Sequence, residues 1–176
     1  MSNIRSELLS AAGGSLREEV ASLANRLSSV PTPNSTAKMS PDEGISHLRS
    51  SADGLSDKEL TELNTYYASE VGKIDRLTAQ KAVSSFSATY SRKPSNAKPQ
   101  ALRLLALHKI DEVLAGLKGP LPVTNSQLHA CFVDAYSHLP DATLEEMIAF
   151  HGSSTGKRSR EASQAAALRI ANKFGL

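Results

Sequence analysis

The chain reads as an all-α protein: a helical bundle built from two helical-hairpin repeats around a long central helix. Three observations predict this. Apolar residues recur at helical spacing through most of the sequence, and several segments open on explicit helix start codes. No run alternates apolar and polar residues over a length useful for a strand. One stretch also occurs twice, since LSDKELTELNTYYASEVGKIDR over 55–76 returns as LPDATLEEMIAFHGSSTGKRSR over 139–160. Leu55, Asp57, Leu60, Glu62, Ser69, Gly72, Lys73 and Arg76 recur at constant spacing as Leu139, Asp141, Leu144, Glu146, Ser153, Gly156, Lys157 and Arg160, and Tyr66 meets Phe150.

Taken in order, Ser15 with Glu18 is a capping-box pattern opening a helix with Leu16, Val20, Leu23 and Leu27 on one face. Pro31 and Pro33 mark a loop over 30–40. Ser40-Pro41-Asp42-Glu43 then starts another helix, with proline at its first position. Ser56 with Glu59 opens the first repeat helix, whose Leu60, Leu63 and Tyr67 share a face. A further helix runs through Leu77, Ala82, Val83 and Phe86, and the Ser-, Pro- and Lys-rich segment after it reads as a linker. Gln100 to Lys118 is predicted as one long helix ended by Gly119-Pro120. Thr124 with Gln127 starts a helix through Leu128, Phe132 and Tyr136, which Pro140 breaks. Asp141 is the expected cap of the second repeat helix, with Leu144, Met147, Ile148 and His151 on one face. A last helix carries Ala165, Ala166, Leu168, Ile170 and Ala171. The resulting division is 1–40 (N-terminal helices and a Pro-rich loop), 41–88 (first repeat), 89–99 (linker) and 100–176 (central helix and second repeat). Leu60, Leu63, Leu105, Ile110, Leu114, Phe132, Leu144, Ile148 and Phe150 are the expected core.

At 176 residues the chain is long enough to bury a core without disulfides or metals. Aromatics make up 5% with no Trp, so the interior is expected to be aliphatic rather than an aromatic ligand cleft. A formal charge of +2 implies neither nucleic acid nor an acidic surface as partner. Cys131 is the one cysteine, which excludes an intrachain disulfide and a multi-cysteine metal cluster. The N-terminus lacks the apolar stretch of a signal peptide, and no run approaches the ~20 apolar residues of a membrane span. The chain as it stands is expected in the cytoplasm, or in the periplasm had an export signal been removed.

The repeated turn sets Ser69 and Ser153 to cap the helix that follows, by accepting a backbone N–H. Gly72 and Gly156 fall in the first turn of that helix, where glycine costs about 0.5–1 kcal/mol relative to alanine. Two readings account for them. Either the Tyr66 or Phe150 ring lies over a bare backbone, or the glycine ends the first helix in a left-handed conformation. Both give a tight helical hairpin.

The C-terminal copy, with Tyr136 ahead of it, resembles the signature of the bacterial "domain of unknown function 2059" family over 136–160. Tyr136, Leu144, Ile148, Phe150, Ser153, Gly156 and Lys157 match, whereas His151 replaces an aromatic and Ser154 a proline. The copy at 55–76 matches more weakly, keeping Tyr66 and Tyr67 but with Glu70 for the proline. The resemblance implies a small helical protein, usually exported to the bacterial periplasm, with no established catalytic residues.

Several motifs invite chemistry and have simpler explanations. Gly152 to Ser159 looks like a phosphate-binding loop, but it has three residues between the glycines, Arg158 after the lysine and a helix before it. His129, Cys131, His138 and His151 suggest zinc, yet positions two apart on a helix diverge, so a buried Cys131 and partly exposed histidines are expected. Cys131 as a nucleophile would need a histidine base beside it. Lys157, Arg158, Arg160, Arg169 and Lys173 form a candidate basic contact surface, with Arg92, Lys93 and Lys98 beside Tyr90 as a second cluster. No catalytic, metal or cofactor residue is assigned. The expectation is a non-catalytic protein-interaction module, with a protein of unknown identity as partner, and the resemblance implies bacterial envelope or stress biology. The alternative is weak nucleic-acid binding through the basic C-terminal helix and linker.

Overall fold

The computed structural model describes residues 4–9, 52–84, 96–116 and 125–173. The expected helices opening at Ser15 and Ser40, the Pro-rich loop, Phe86, the linker as far as residue 95, the Gly119-Pro120 stop and the Thr124 cap lie outside them. A helical segment covers 4–9. Beyond it come α1 (Asp57–Ala68), α2 (Glu70–Ser84), α3 (Pro99–His108), α4 (Ile110–Ala115), α5 (Asn125–Ser137), α6 (Asp141–Gly152) and α7 (Ser154–Lys173). The protein is all-α, with no strand among the described residues. None of these helices is long and apolar enough to cross a membrane.

Helix starts follow local chemistry. At α1 the Ser56 hydroxyl accepts from Glu59 N at 3.3 Å, while the Glu59 carboxylate accepts from Ser56 N at 2.8 Å. This reciprocal capping box satisfies two donors that the helix itself leaves free. At α3, Pro99 supplies a pre-set φ at the first helical position behind an extended Lys98. At α6 the cap is Pro140 rather than Asp141, because proline's fixed φ of −58° holds the extended entry. Asp141 is instead the first helical residue, and its carboxylate receives Lys98 Nζ at 2.7 Å. Lys98 also donates to the Leu139 carbonyl at 2.8 Å, so it fastens the start of α3 to the start of α6, while Tyr90, Arg92 and Lys93 of the expected linker cluster lie outside the described residues.

The long helix expected from Gln100 to Lys118 is two helices. Lys109 sits in the left-handed region at φ 49°, ψ 41° and separates α3 from α4. Helical periodicity runs through this point, so the apolar pattern conceals it. The break has a tertiary reason: the Gln164 side chain on α7 donates to the His108 carbonyl at 2.6 Å, supplying a partner that helix continuation would otherwise provide. Lys109 Nζ, 3.0 Å from Glu112, anchors the next turn.

α3 packs on α5 and α6, α2 on α5 and α6, and α1 and α6 both on α7. The larger core joins Ala101, Leu104 and Leu105 of α3 to Phe132, Val133 and Tyr136 of α5 and Leu144 and Met147 of α6. A second cluster gathers Ala52, Leu55, Leu60 and Leu63, with Leu8, Leu9, Tyr67 and Phe150 packed against it. Of the expected core, Leu60, Leu63, Leu105, Phe132 and Leu144 are buried, and Ile148 and Phe150 are half-buried. The side chains of Ile110 and Leu114 lie outside the described residues.

Candidate functional site

Both hairpin turns are built by one serine and one glycine. Ser69 Oγ donates to the Tyr66 carbonyl at 2.6 Å and accepts from Gly72 N at 3.1 Å. Ser153 Oγ does the same with the Phe150 carbonyl at 2.6 Å and Gly156 N at 3.0 Å. Each hydroxyl therefore links the last turn of one helix to the first turn of the next. The glycines serve close approach, but of backbone and not of a ring. A Cβ on Gly72 would stand 2.0 Å from the Tyr66 carbonyl oxygen, and one on Gly156 would stand 2.1 Å from that of Phe150. Neither glycine is left-handed, so the alternative reading of these turns is corrected. At Gly152 a Cβ would meet nothing, as expected of a position that is Ala68 in the first copy.

The hairpins meet ring on ring. Tyr66 and Phe150, equivalent positions of the two copies, stack with centroids 3.6 Å apart and planes 6° from parallel. Tyr67 stands edge-on to Phe150 at 6.1 Å and His151 edge-on to Tyr66 at 5.9 Å. Side-chain ties flank the stack. Arg158 reaches the Glu59 carboxylate at 2.8 Å and the Gly54 carbonyl at 2.8 Å, and Thr155 donates to Glu62.

Beneath the stack lies the one buried carboxylate of the described core. Asp75 on α2, 3% exposed, accepts Tyr66 Oη from α1 and Tyr136 Oη from α5, each at 2.8 Å. His151 Nε2 from α6 lies 2.7 Å from Asp75 Oδ2, the oxygen that also accepts Tyr66, whereas Tyr136 bonds Oδ1. Burial alone would raise the Asp75 carboxyl, but the hydrogen bond and charge of His151 and the Tyr136 hydroxyl outweigh it and hold the group below its usual range. An ionised carboxylate only accepts, so His151 Nε2 carries the proton between them. Burial, then the Asp75 charge, pushes both tyrosines up, so their hydroxyls stay protonated donors. The His108 ring lies 4.7 Å from that of His151, and its Nε2 is buried without a partner. Burial and the neighbouring His151 push His108 down to about 3, so it is neutral at pH 7. Arg160 Nη1 donates to the His151 carbonyl at 3.1 Å, closing the end of α6.

This cluster corrects two expectations. His151 is buried and paired, not partly exposed. Arg160 is 8% exposed and does not belong to a basic surface. Arg158 is exposed but engaged by Glu59 and Gly54. Lys157 and Arg169 are exposed, and they sit about 18 Å apart along α7 and about a third of a turn around it. Lys173 is in α7, its side chain outside the described residues. His129 pairs with Asp111 at 3.2 Å. Cys131 is 3% exposed, and burial with Asp134 nearby pushes its thiol up, away from the nucleophilic thiolate. Among the described residues no group of three His, Cys, Asp or Glu side chains converges as metal ligands do.

Sequence reasoning passed over Asp75 because a lone acid on a helix is usually solvated. The available signal was divergence between the copies. Asp75 stands where the second copy has Ser159, and His151 stands where the first has Tyr67. The two departures pair with each other across the hairpins. No family model, curated protein or solved structure matches the chain.

Proposed function

We propose that this chain is a non-catalytic protein-interaction module. The observation that carries the reading is where its chemistry-bearing side chains are engaged. Asp75, His151, Tyr66, Tyr136 and Arg160 bind one another or backbone in the interior, and Cys131 is buried as a thiol. Large aliphatic side chains, by contrast, face solvent on two packed helices: Leu77 of α2 is 64% exposed and Leu102 of α3 is 49% exposed. Partner recognition through such positions needs a rigid frame, and the buried network provides one. A place in bacterial envelope or stress biology rests on the resemblance to the "domain of unknown function 2059" family alone.

The nucleic-acid alternative draws less support, since Arg158 and Arg160 are occupied and Lys157 and Arg169 lie on different parts of α7. The test compares protein capture from native-cell lysate by the wild-type chain with capture by Leu77→Glu and Leu102→Glu. Loss of the same captured protein in at least one folded variant supports the reading. Identical capture by all three, or low-salt oligonucleotide binding abolished by Lys157→Glu, overturns it.

A further inference from the structure

His108 ends α3 with one ring nitrogen unanswered: its Nε2 is buried without a hydrogen-bond partner. A neutral imidazole tolerates this, because that nitrogen can remain a bare acceptor. An imidazolium carries a proton on both nitrogens and would leave a charged donor unpaired. The surrounding charges oppose it further. His151 of α6 stands ring to ring with His108 at 4.7 Å, and Arg160 of α7 adds a fixed positive charge. Asp75 of α2 favours a cation, but its carboxylate already accepts from Tyr66, Tyr136 and His151. From α5 the ring meets that of Phe132 at 5.2 Å, while His129 of that helix pairs with Asp111 of α4. Glu112 of α4 is engaged by Lys109.

The backbone yields most readily at this same point. Lys109, the next residue, is left-handed at φ 49°, a conformation that a residue with a Cβ adopts at a cost. The His108 carbonyl is held from α7 by the Gln164 side chain at 2.6 Å. Beyond Lys109, α4 has 6 residues, too few for much helical stability of its own. Opening here breaks one side-chain tie and a short helix. The stack of Tyr66 on Phe150 and the bonds to Asp75 lie outside it.

We propose that His108 is an acid-sensitive latch: its protonation releases the end of α3 at Lys109 and uncovers the Phe132 ring. Phe132 is 8% exposed in the closed form, so release adds an aromatic ring to the apolar surface. The closed form binds this proton only near pH 3. The open form binds it at about 6.5, as an exposed histidine does. Between these values the open form holds more protons, so opening increases as pH falls. An exposed histidine at pH 5 is protonated in a ratio of about 30 to 1, and the opening equilibrium should rise about 30-fold between pH 7.4 and pH 5. The latch is local, and it stands whatever protein the chain binds.

Hydrogen exchange on the full chain at pH 7.4 and pH 5, corrected for the intrinsic pH dependence of amide exchange, tests this. The expected result is about a 30-fold loss of protection in peptides covering residues 104–115, with α1 and α2 keeping theirs. His108→Phe, which keeps a ring against Phe132 but binds no proton, should abolish the response. Unchanged protection over 104–115 in wild type overturns the proposal, as does an equal loss over α1 and α2, which is global unfolding. A response that persists in His108→Phe overturns it too, since another group then carries the proton. Should His108→Phe lose its helical circular dichroism at pH 7.4, carbon-13 NMR of the wild-type His108 ring decides. Protonation in step with the loss of protection supports the latch, and a ring still neutral at pH 5 despite that loss refutes it.

Discussion

Replacing Asp75 with asparagine keeps shape and removes charge at the junction of α1, α2, α5 and α6. The carboxylate accepts three hydrogen bonds, from Tyr66, Tyr136 and His151, with donor–acceptor distances of 2.7–2.8 Å. Hydrogen bonds to a charged group contribute about 1.5–3 kcal/mol each, and they are strongest where water is excluded. Asparagine keeps one accepting oxygen and turns an NH2 toward at least one of these donors. The expected loss is therefore about 3 kcal/mol, and Asp75→Ala should cost about 3–5 kcal/mol by leaving buried donors unpaired. Urea unfolding followed at 222 nm measures it, with an unchanged urea dependence showing that the folded state remains compact. Combining Asp75→Asn with His151→Gln should be less than additive by at least about 1 kcal/mol, because each change removes the same contact. A loss below about 1 kcal/mol for Asp75→Asn, or additivity of the pair, would show that the network does not hold the hairpins together.

Three further outcomes follow from the same geometry. Gly72→Ala and Gly156→Ala should each destabilise by about 2–3 kcal/mol or more, because the new methyl meets a backbone carbonyl that no rotamer change relieves, while Gly152→Ala should be neutral or stabilising by up to about 1 kcal/mol; thermal melts of the three variants rank them. Ser153→Ala should cost about 1 kcal/mol, since it leaves the Gly156 amide without its hydroxyl acceptor while the Phe150 carbonyl keeps only the Ser153 backbone N–H, and denaturant midpoints test this. Stability should fall on acidification below about pH 6.5, where unfolded histidine begins to bind a proton, whereas folded His108 binds one only near pH 3. In that interval the unfolded state holds the extra proton, so stability rises with pH by at most about 1.4 kcal/mol per unit from this group. His108→Phe should flatten the slope between pH 6.5 and 5. A second loss, through Asp75, begins at the ordinary carboxylate range and continues below it, because its folded carboxyl is depressed.

What could be read from the sequence was whatever neighbouring residues decide among themselves. The Ser56–Glu59 box and the Ser69 and Ser153 caps involve partners three residues apart, so spacing alone reveals them. The glycines at 72 and 156 signalled close approach, but the approaching group is a carbonyl of the preceding helix, which side-chain pattern cannot specify. The break at Lys109 escaped for a related reason, since its cause is Gln164, which is remote in sequence. Asp75, Tyr136 and His151 are likewise joined only by folding. Arg160 shows the limit of reading charge along a helix: four basic residues near it suggest one surface, yet the helix turns this one inward to cap α6.

The central claim is that the chain acts on other proteins through its apolar surface while its polar chemistry stays inside. Photocrosslinking in the native cell tests it most directly, with a photoreactive residue placed at position 77 or, in a separate chain, at position 169. The account predicts a discrete protein adduct from position 77 and none to nucleic acid from position 169. A nucleic-acid adduct from position 169 with no protein adduct from position 77 would contradict it.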